Sequence, residues 1–370
     1  MRHLFKKNHR VFYRFGAIVF IGFLIYLLQR AASASPDLVE TYYSRGIAPH
    51  LSRLLSLIVR WFPASLGEGI LYAHVLFGIY LLLLALGHVL KMRWRIVGTG
   101  LLKVTAYFIM LYCVFMLVWG FHYLRPDLSE RMGLSTEPRQ LQALESLAKS
   151  LIDEAKRNQQ VIVRSPEKLQ NMAIIDMIVS EDTKNFASSD LGQQMGLISG
   201  ALSLPKGVLL SEGMSYLGIT GIYMPFTGEA NINMHVPALL IPATMAHELA
   251  HQRGIAPEDE ANFVAYLVTG QSKNATVRYS GSMLALIYTM NQLHEKAPEK
   301  ARVLREQYSP EMRADLKALS GYWKKYEGEI SQSQEKVNDA YLKFNQQVSG
   351  TASYGEMVDL LLAYKAQGKK

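Results

Sequence analysis

Apolar and polar positions divide this chain into two regimes. Near the N-terminus three runs are almost purely apolar: Phe15–Leu28, extendable back through Val11, then Gly69–Leu90 and Ile96–Phe121. The second and third are long enough to cross a bilayer as helices, and the first reaches that range when taken from Val11. Lys103, near one end of the third, can carry its charge to the interface on a long stem. Beyond about His122 the pattern becomes helical with a single apolar stripe. Ser135 or Thr136 is placed to cap a helix running to about Gln159, with leucines at 141, 144, 147 and 151 on one side. Residues 167–180 look similar, and from Asn274 onward come several long helices rich in Lys, Glu and Gln, punctuated by Pro298 and Pro310.

Residues 207–233 break this pattern. Glycines and β-branched residues alternate, which predicts a small sheet or hairpin. Its strand offers either an edge to which an extended peptide adds, or a plain structural cover. Thr227, Gly228, Glu229 and Asn231 are the polar residues expected near a cleft. The expected fold is therefore mainly α. A three-helix transmembrane region fills residues 1–125, with spans at about 11–28, 69–90 and 96–121. A mostly helical α+β domain fills residues 126–370, with its small sheet ahead of a buried helix.

Charge orients the membrane part. Arg2, Lys6, Lys7, Arg10 and Arg14 precede the first run, and Lys91, Arg93 and Arg95 fill the link between the second and third. Both belong in the cytoplasm by the positive-inside rule, which puts residues 30–68 and everything after about His122 outside. A cleaved signal peptide is the alternative for the first run, with Ala31-Ala-Ser-Ala-Ser35 the only compatible site; retention as an anchor is expected. Residues 1–121 hold 13 Lys/Arg against three Asp/Glu, whereas residues 122–370 hold 26 against 28. The basic excess lies entirely in the membrane part, so a nucleic-acid partner is not expected and the bilayer is. The single cysteine, Cys113, falls inside the third run, which excludes intrachain disulfides and cysteine-ligated metal in the large domain.

Candidate chemistry sits at His247-Glu-Leu-Ala-His251. Residues four apart share a helix face, so both imidazoles can reach one zinc ion while Glu248 faces a water activated there. Pro242 suits the first turn of that helix and Gly254 a left-handed stop, giving a helix from about Pro242 to Arg253. Pro257 opens a second helix whose first turn carries Glu258, Asp259 and Glu260. Glu258 shares a face with Asn262, pairing a ligand with a group able to orient a ligating histidine, whereas Glu260 has Val264 in that place. Glu258 is thus the expected third ligand and Glu260 the fallback.

Residues spread over nearly the whole chain also carry a resemblance. They include Trp119-Gly-Phe-His-Tyr-Leu-Arg-Pro-Asp-Leu-Ser-Glu-Arg131, Pro225-Phe-Thr-Gly-Glu-Ala-Asn231, the His247 motif with Glu258-Asp-Glu-Ala-Asn-Phe263, Val337-Asn-Asp-Ala-Tyr-Leu342 and residues 353–364. Together these resemble the bacterial membrane proteins grouped as domain-of-unknown-function family 3810. The resemblance implies a zincin-type metallopeptidase domain in a multi-pass bacterial inner-membrane protein. Glu258-x-x-Ala-Asn262 is similar to the element that supplies the third zinc ligand in gluzincin peptidases, although here it begins only seven residues after His251.

The function expected is hydrolysis of a peptide or protein substrate with one zinc ion held by His247, His251 and Glu258, and Glu248 as general base. His294, Tyr341 and Tyr354 are candidates to stabilise the oxyanion. An intramembrane protease is a rival, weakened by Thr244, Gln252 and the acidic turn beside the motif. A zinc-stabilised binding or scaffold domain without turnover is another, against which Glu248 counts, since a structural site needs no base.

Overall fold

A computed structural model describes residues 2–135, 137, 140–162, 172–345, 347 and 349–368. The longest helices of the N-terminal third are α1 (Arg2–Ser33), α2 (Ala48–Val59), α3 (Leu66–Leu90) and α4 (Trp94–Val118). Val11–Ser33 of α1, and α3 and α4 in full, are long and apolar enough to cross a membrane. Their large side chains, such as Phe20, Leu82 and Phe108, point outward. Water would not tolerate so continuous an apolar surface, whereas lipid does. The third run stops at Val118 rather than Phe121. Phe121 and Leu124 leave it in a 3-10 turn because they bury against Val39 and Met116 in a small core of their own.

The rest is helical around one short sheet. Helices α5 (Leu141–Ile162), α6 (Met172–Ser188), α7 (Ile241–Gln252), α8 (Glu258–Gly270), α9 (Ala275–Lys296), α10 (Glu329–Phe344) and α11 (Ser353–Ala366) follow, with Pro298–Arg305 and Pro310–Tyr326 between α9 and α10. Pro298 and Pro310 each open a helix, where a missing N–H costs nothing. α5 starts later than a cap at Ser135 or Thr136 requires; Ser135 lies ahead of it and Thr136 is outside the described residues. Of the helix expected at 167–180, residues 167–171 also lie outside them, and α6 continues to Ser188.

Three strands form the sheet: β1 (Lys206–Gly207), β2 (Gly221–Met224) and β3 (Glu229–Ile232), in the order β1-β3-β2. β3 runs parallel to β1, with Lys206 opposite Asn231, and antiparallel to β2, with Gly221 opposite Ile232. A short helix, Ser211–Tyr216, separates β1 from β2, so the glycine-rich stretch is a hairpin only in its second half. Every residue of α7 is buried. It ends at a left-handed Gly254 with φ +90°, and its neighbours Met245, Leu249 and Ile255 join Phe263, Met283 and Leu286 in the central core.

The segment between the first two candidate spans is hydrogen-bonded to the large domain. Arg45 donates to the carbonyls of Gln193 and Gln194, Ser203 N–H donates to Ser56 Oγ, and Lys206 Nζ donates to the carbonyls of Val59 and Ala64.

Candidate metal centre

Helical spacing and one tight turn create the site. His247 and His251 project from the same face of α7, and the left-handed turn at Gly254 folds α8 back so that its first residue, Glu258, meets them. His247 Nε2 lies 3.0 Å from His251 Nε2 and 3.1 Å from Glu258 Oε2; His251 Nε2 lies 3.5 Å from the same oxygen. Ligands about 2.0–2.1 Å from a tetrahedral ion stand about 3.3 Å apart, within the range of 3.0 to 3.5 Å seen here. The three side chains form a group able to hold a metal ion.

The outer nitrogens decide what faces inward. His247 Nδ1 lies 2.8 Å from Asn262 Oδ1, and the Asn262 amide is oriented by donating through Nδ2 to the carbonyl of Tyr354. His251 Nδ1 lies 2.7 Å from the carbonyl of Ile255. Both partners only accept, so each imidazole carries its proton on Nδ1 and turns a bare Nε2 lone pair inward. Three acceptors therefore converge on one point with no donor among them, an arrangement suited to a cation. Without an ion the protons do that work. On His251 burial opposes the charge, but the Glu258 carboxylate outweighs it and lifts the imidazole to about 9. Burial would likewise raise Glu258, yet the two imidazoles hold it well below the usual carboxylate range.

Glu248 is buried beside this group, and its Oε2 has no hydrogen-bond partner. Burial pushes its carboxyl above the ordinary value, against a weaker pull from both imidazoles. The room it occupies exists because residue 221 is glycine: a Cβ there would lie 2.6 Å from Glu248 Oε1 and 2.7 Å from Thr244 Cγ2. β2 thus runs directly past Glu248, on the outer edge of the sheet.

Tyrosines ring the centre. Tyr354 is half-buried within the field of Glu258 and Glu248, and desolvation drives its phenol far above the usual value, so it remains a donor. Asn338 of α10 donates to its hydroxyl. Tyr341, also on α10, lies 3.4 Å from Tyr123 through the two hydroxyls and feels Glu258. Tyr288 is pushed up to about 12, chiefly by desolvation. His294 does not join them: it is exposed in the last turn of α9.

The remaining expected residues take other posts. Glu260 is turned from the histidines; it accepts from Leu128 N–H and pairs with Arg131 at 2.7 Å. Glu229 is fully buried, accepting from the N–H groups of Leu66 and Gly67 and from Lys206 Nζ. The Gly228 carbonyl accepts from Gln252, Asn231 Nδ2 donates to the carbonyls of Ile222 and Glu229, and Thr227 is buried beside them. These four form a sealed wall behind the metal helix rather than an open cleft.

Several supporting residues carry no local signal in the sequence. The Trp119 ring centroid is 4.6 Å from Tyr223 and 6.2 Å from His251. His122 packs against the Gly254 turn and Ser44, while Arg125 spans Glu40 and the Gly254 carbonyl. Together they fix the turn that brings Glu258 to the histidines.

Glu258→Gln is expected to lose most of its bound metal, and Glu260→Gln to keep about one ion per chain. Asn262→Ala should weaken metal affinity about 10–100-fold by freeing the His247 ring. Elemental analysis of the purified chains checks all three. Metal lost with Glu260→Gln and kept with Glu258→Gln would reverse the ligand assignment.

A family model described as protein of unknown function (DUF3810) matches residues 43–362. No curated protein and no solved structure matches the chain.

Proposed function

The chain belongs to this family, and we propose that it is a membrane-anchored zinc metallopeptidase. The observation that supports the reading is the convergence of three acceptor atoms beside a buried, unpartnered carboxylate oxygen. A purely structural ion needs the first feature and not the second. Bound by His247, His251 and Glu258, zinc would supply Lewis acidity toward a carbonyl oxygen and acidify a nearby water.

The chain's own residues would do the rest. An extended peptide adds to the free edge of β2, so that its backbone passes Glu248 and Tyr223. Glu248 takes a proton from water as the oxygen bonds to the scissile carbonyl carbon. It returns that proton to the amide nitrogen as the C–N bond breaks, so water is added across the bond and Glu248 is regenerated. Tyr354, kept protonated, is the donor best placed for the oxyanion, and Tyr341 is second. The basic residues around the first span and in the α3–α4 link support a topology with the N-terminus in the cytoplasm and the metal site outside, in a bacterial inner membrane.

The test is digestion of a diverse peptide library by the full chain reconstituted in lipid nanodiscs, with new termini identified by mass spectrometry. Cleavage that disappears with a chelator and returns with zinc is expected. A zinc-loaded chain that generates no new termini would end the peptidase reading.

A further inference from the structure

The centre is built onto the ends of the candidate spans. Trp119 is the first residue beyond α4 and packs against Tyr223 of β2. Phe226, in the turn between β2 and β3, meets Phe115 in the last turn of α4 with ring centroids 6.5 Å apart. On the other side Glu229 of β3 binds the first two N–H groups of α3 at 3.0 and 2.7 Å. The hairpin that borders Glu248 is therefore seated on both spans.

α2, which links the first span to the second, carries its apolar face outward. Ser56 and Val59 are buried against the large domain, while Leu54, Leu57 and Ile58 are exposed on the opposite side. The face continues into Trp61, 75% exposed, and Phe62. Arg53 and Arg60 flank it, and the Arg60 guanidinium lies over the Trp61 ring. An apolar face ending in tryptophan with a basic rim, joined to a span only a few residues away, fits the headgroup boundary of a bilayer. Leu209 and Leu210, also exposed, are held at the start of α3, where Glu68 accepts from their N–H groups.

We infer that the site works at the bilayer surface on chains tethered to that same membrane, with α2 lying in the interface to set its depth. This substrate class rests on the peptidase reading above. A hairpin standing on two span ends brings within reach a segment that leaves the membrane nearby, and favours it over the same segment held farther out.

The experiment uses the full chain in nanodiscs and one peptide found to be cut, presented free, on a lipid anchor with a five-residue Gly/Ser spacer, and on the same anchor with a 30-residue spacer. Local concentration falls roughly as the −3/2 power of spacer length, so the short tether is expected to be cut about tenfold faster than the long one. Leu57→Glu with Trp61→Glu should erase that preference and leave cleavage of the free peptide unchanged, since both side chains are exposed. Independently, a spin label on Trp61→Cys in a Cys113→Ala chain should lie about 5–10 Å below the headgroup surface. Equal cleavage of short and long tethers would overturn the substrate class while the peptidase reading stood. A label fully in water would overturn the role of α2. A correctly placed label with no peptide cut in any format would bring down the peptidase reading, and this substrate class with it.

Discussion

Glu248→Gln is expected to lower peptide turnover about a thousandfold while leaving metal content unchanged. General acid–base residues contribute about 10²–10⁴-fold, and a thousandfold corresponds to about 4 kcal/mol of barrier. Glutamine keeps the shape and fits the same slot against Gly221, but its amide cannot accept a proton. The metal should stay because the converging ligand atoms belong to His247, His251 and Glu258, not Glu248. Burial without a partner for Oε2 is what gives this carboxyl its raised proton affinity. Elemental analysis and steady-state cleavage on one preparation separate the outcomes. Undiminished turnover would place the base elsewhere. Zinc bound by both proteins with turnover in neither would leave a non-catalytic module as the reading.

What the sequence made legible here was local. The extent of α7, its proline start, its glycine stop and the i, i+4 histidines all follow from rules spanning a few residues. The pairing of Glu258 with Asn262 on one face of α8 is of the same kind, and the structure puts Asn262 against His247 Nδ1. The three apolar helices were legible because composition alone marks them. The supports of the site were not. Glu40 with Arg125 and Ser44 with His122 are far apart in sequence, and no periodicity signals such pairs. Trp119 and Arg131 stand in a motif that carried the family resemblance, but their posts beside His251 and Glu260 emerge only in three dimensions.

The polar run 227–231 shows why polarity misleads. Thr, Gly, Glu and Asn beside a zinc motif suggest a wet cleft, and each is buried. A buried polar group is tolerated where it finds partners, and the partners here are helix ends and backbone carbonyls supplied from residues far away. Only the tertiary fold reveals that Glu229 serves the first turn of α3. The sequence likewise gives no hint that residues 36–65 bond to the large domain, since their partners at 193, 194, 203 and 206 lie far along the chain.

Glu229→Ala is expected to destabilise the chain by roughly 3 kcal/mol. The carboxylate is fully buried and satisfies three donors: two N–H groups at the start of α3 and Lys206 Nζ. Removing it leaves both amides without an acceptor, each a desolvation cost of about 1–3 kcal/mol. It also removes the negative charge that complements the N-terminal end of the α3 dipole. Lys206 retains the carbonyls of Val59 and Ala64, which keeps the loss from being larger. For a domain of this size the midpoint of thermal unfolding in detergent should fall by roughly 6–12 °C. Glu229→Gln, which keeps an acceptor oxygen but not the charge, should fall between that variant and the parent chain. Lys149→Ala, which breaks an exposed pair with Glu145, should move the midpoint by no more than about 2 °C. A Glu229→Ala chain that melts with the parent would show that α3 is held to the sheet by something other than this carboxylate.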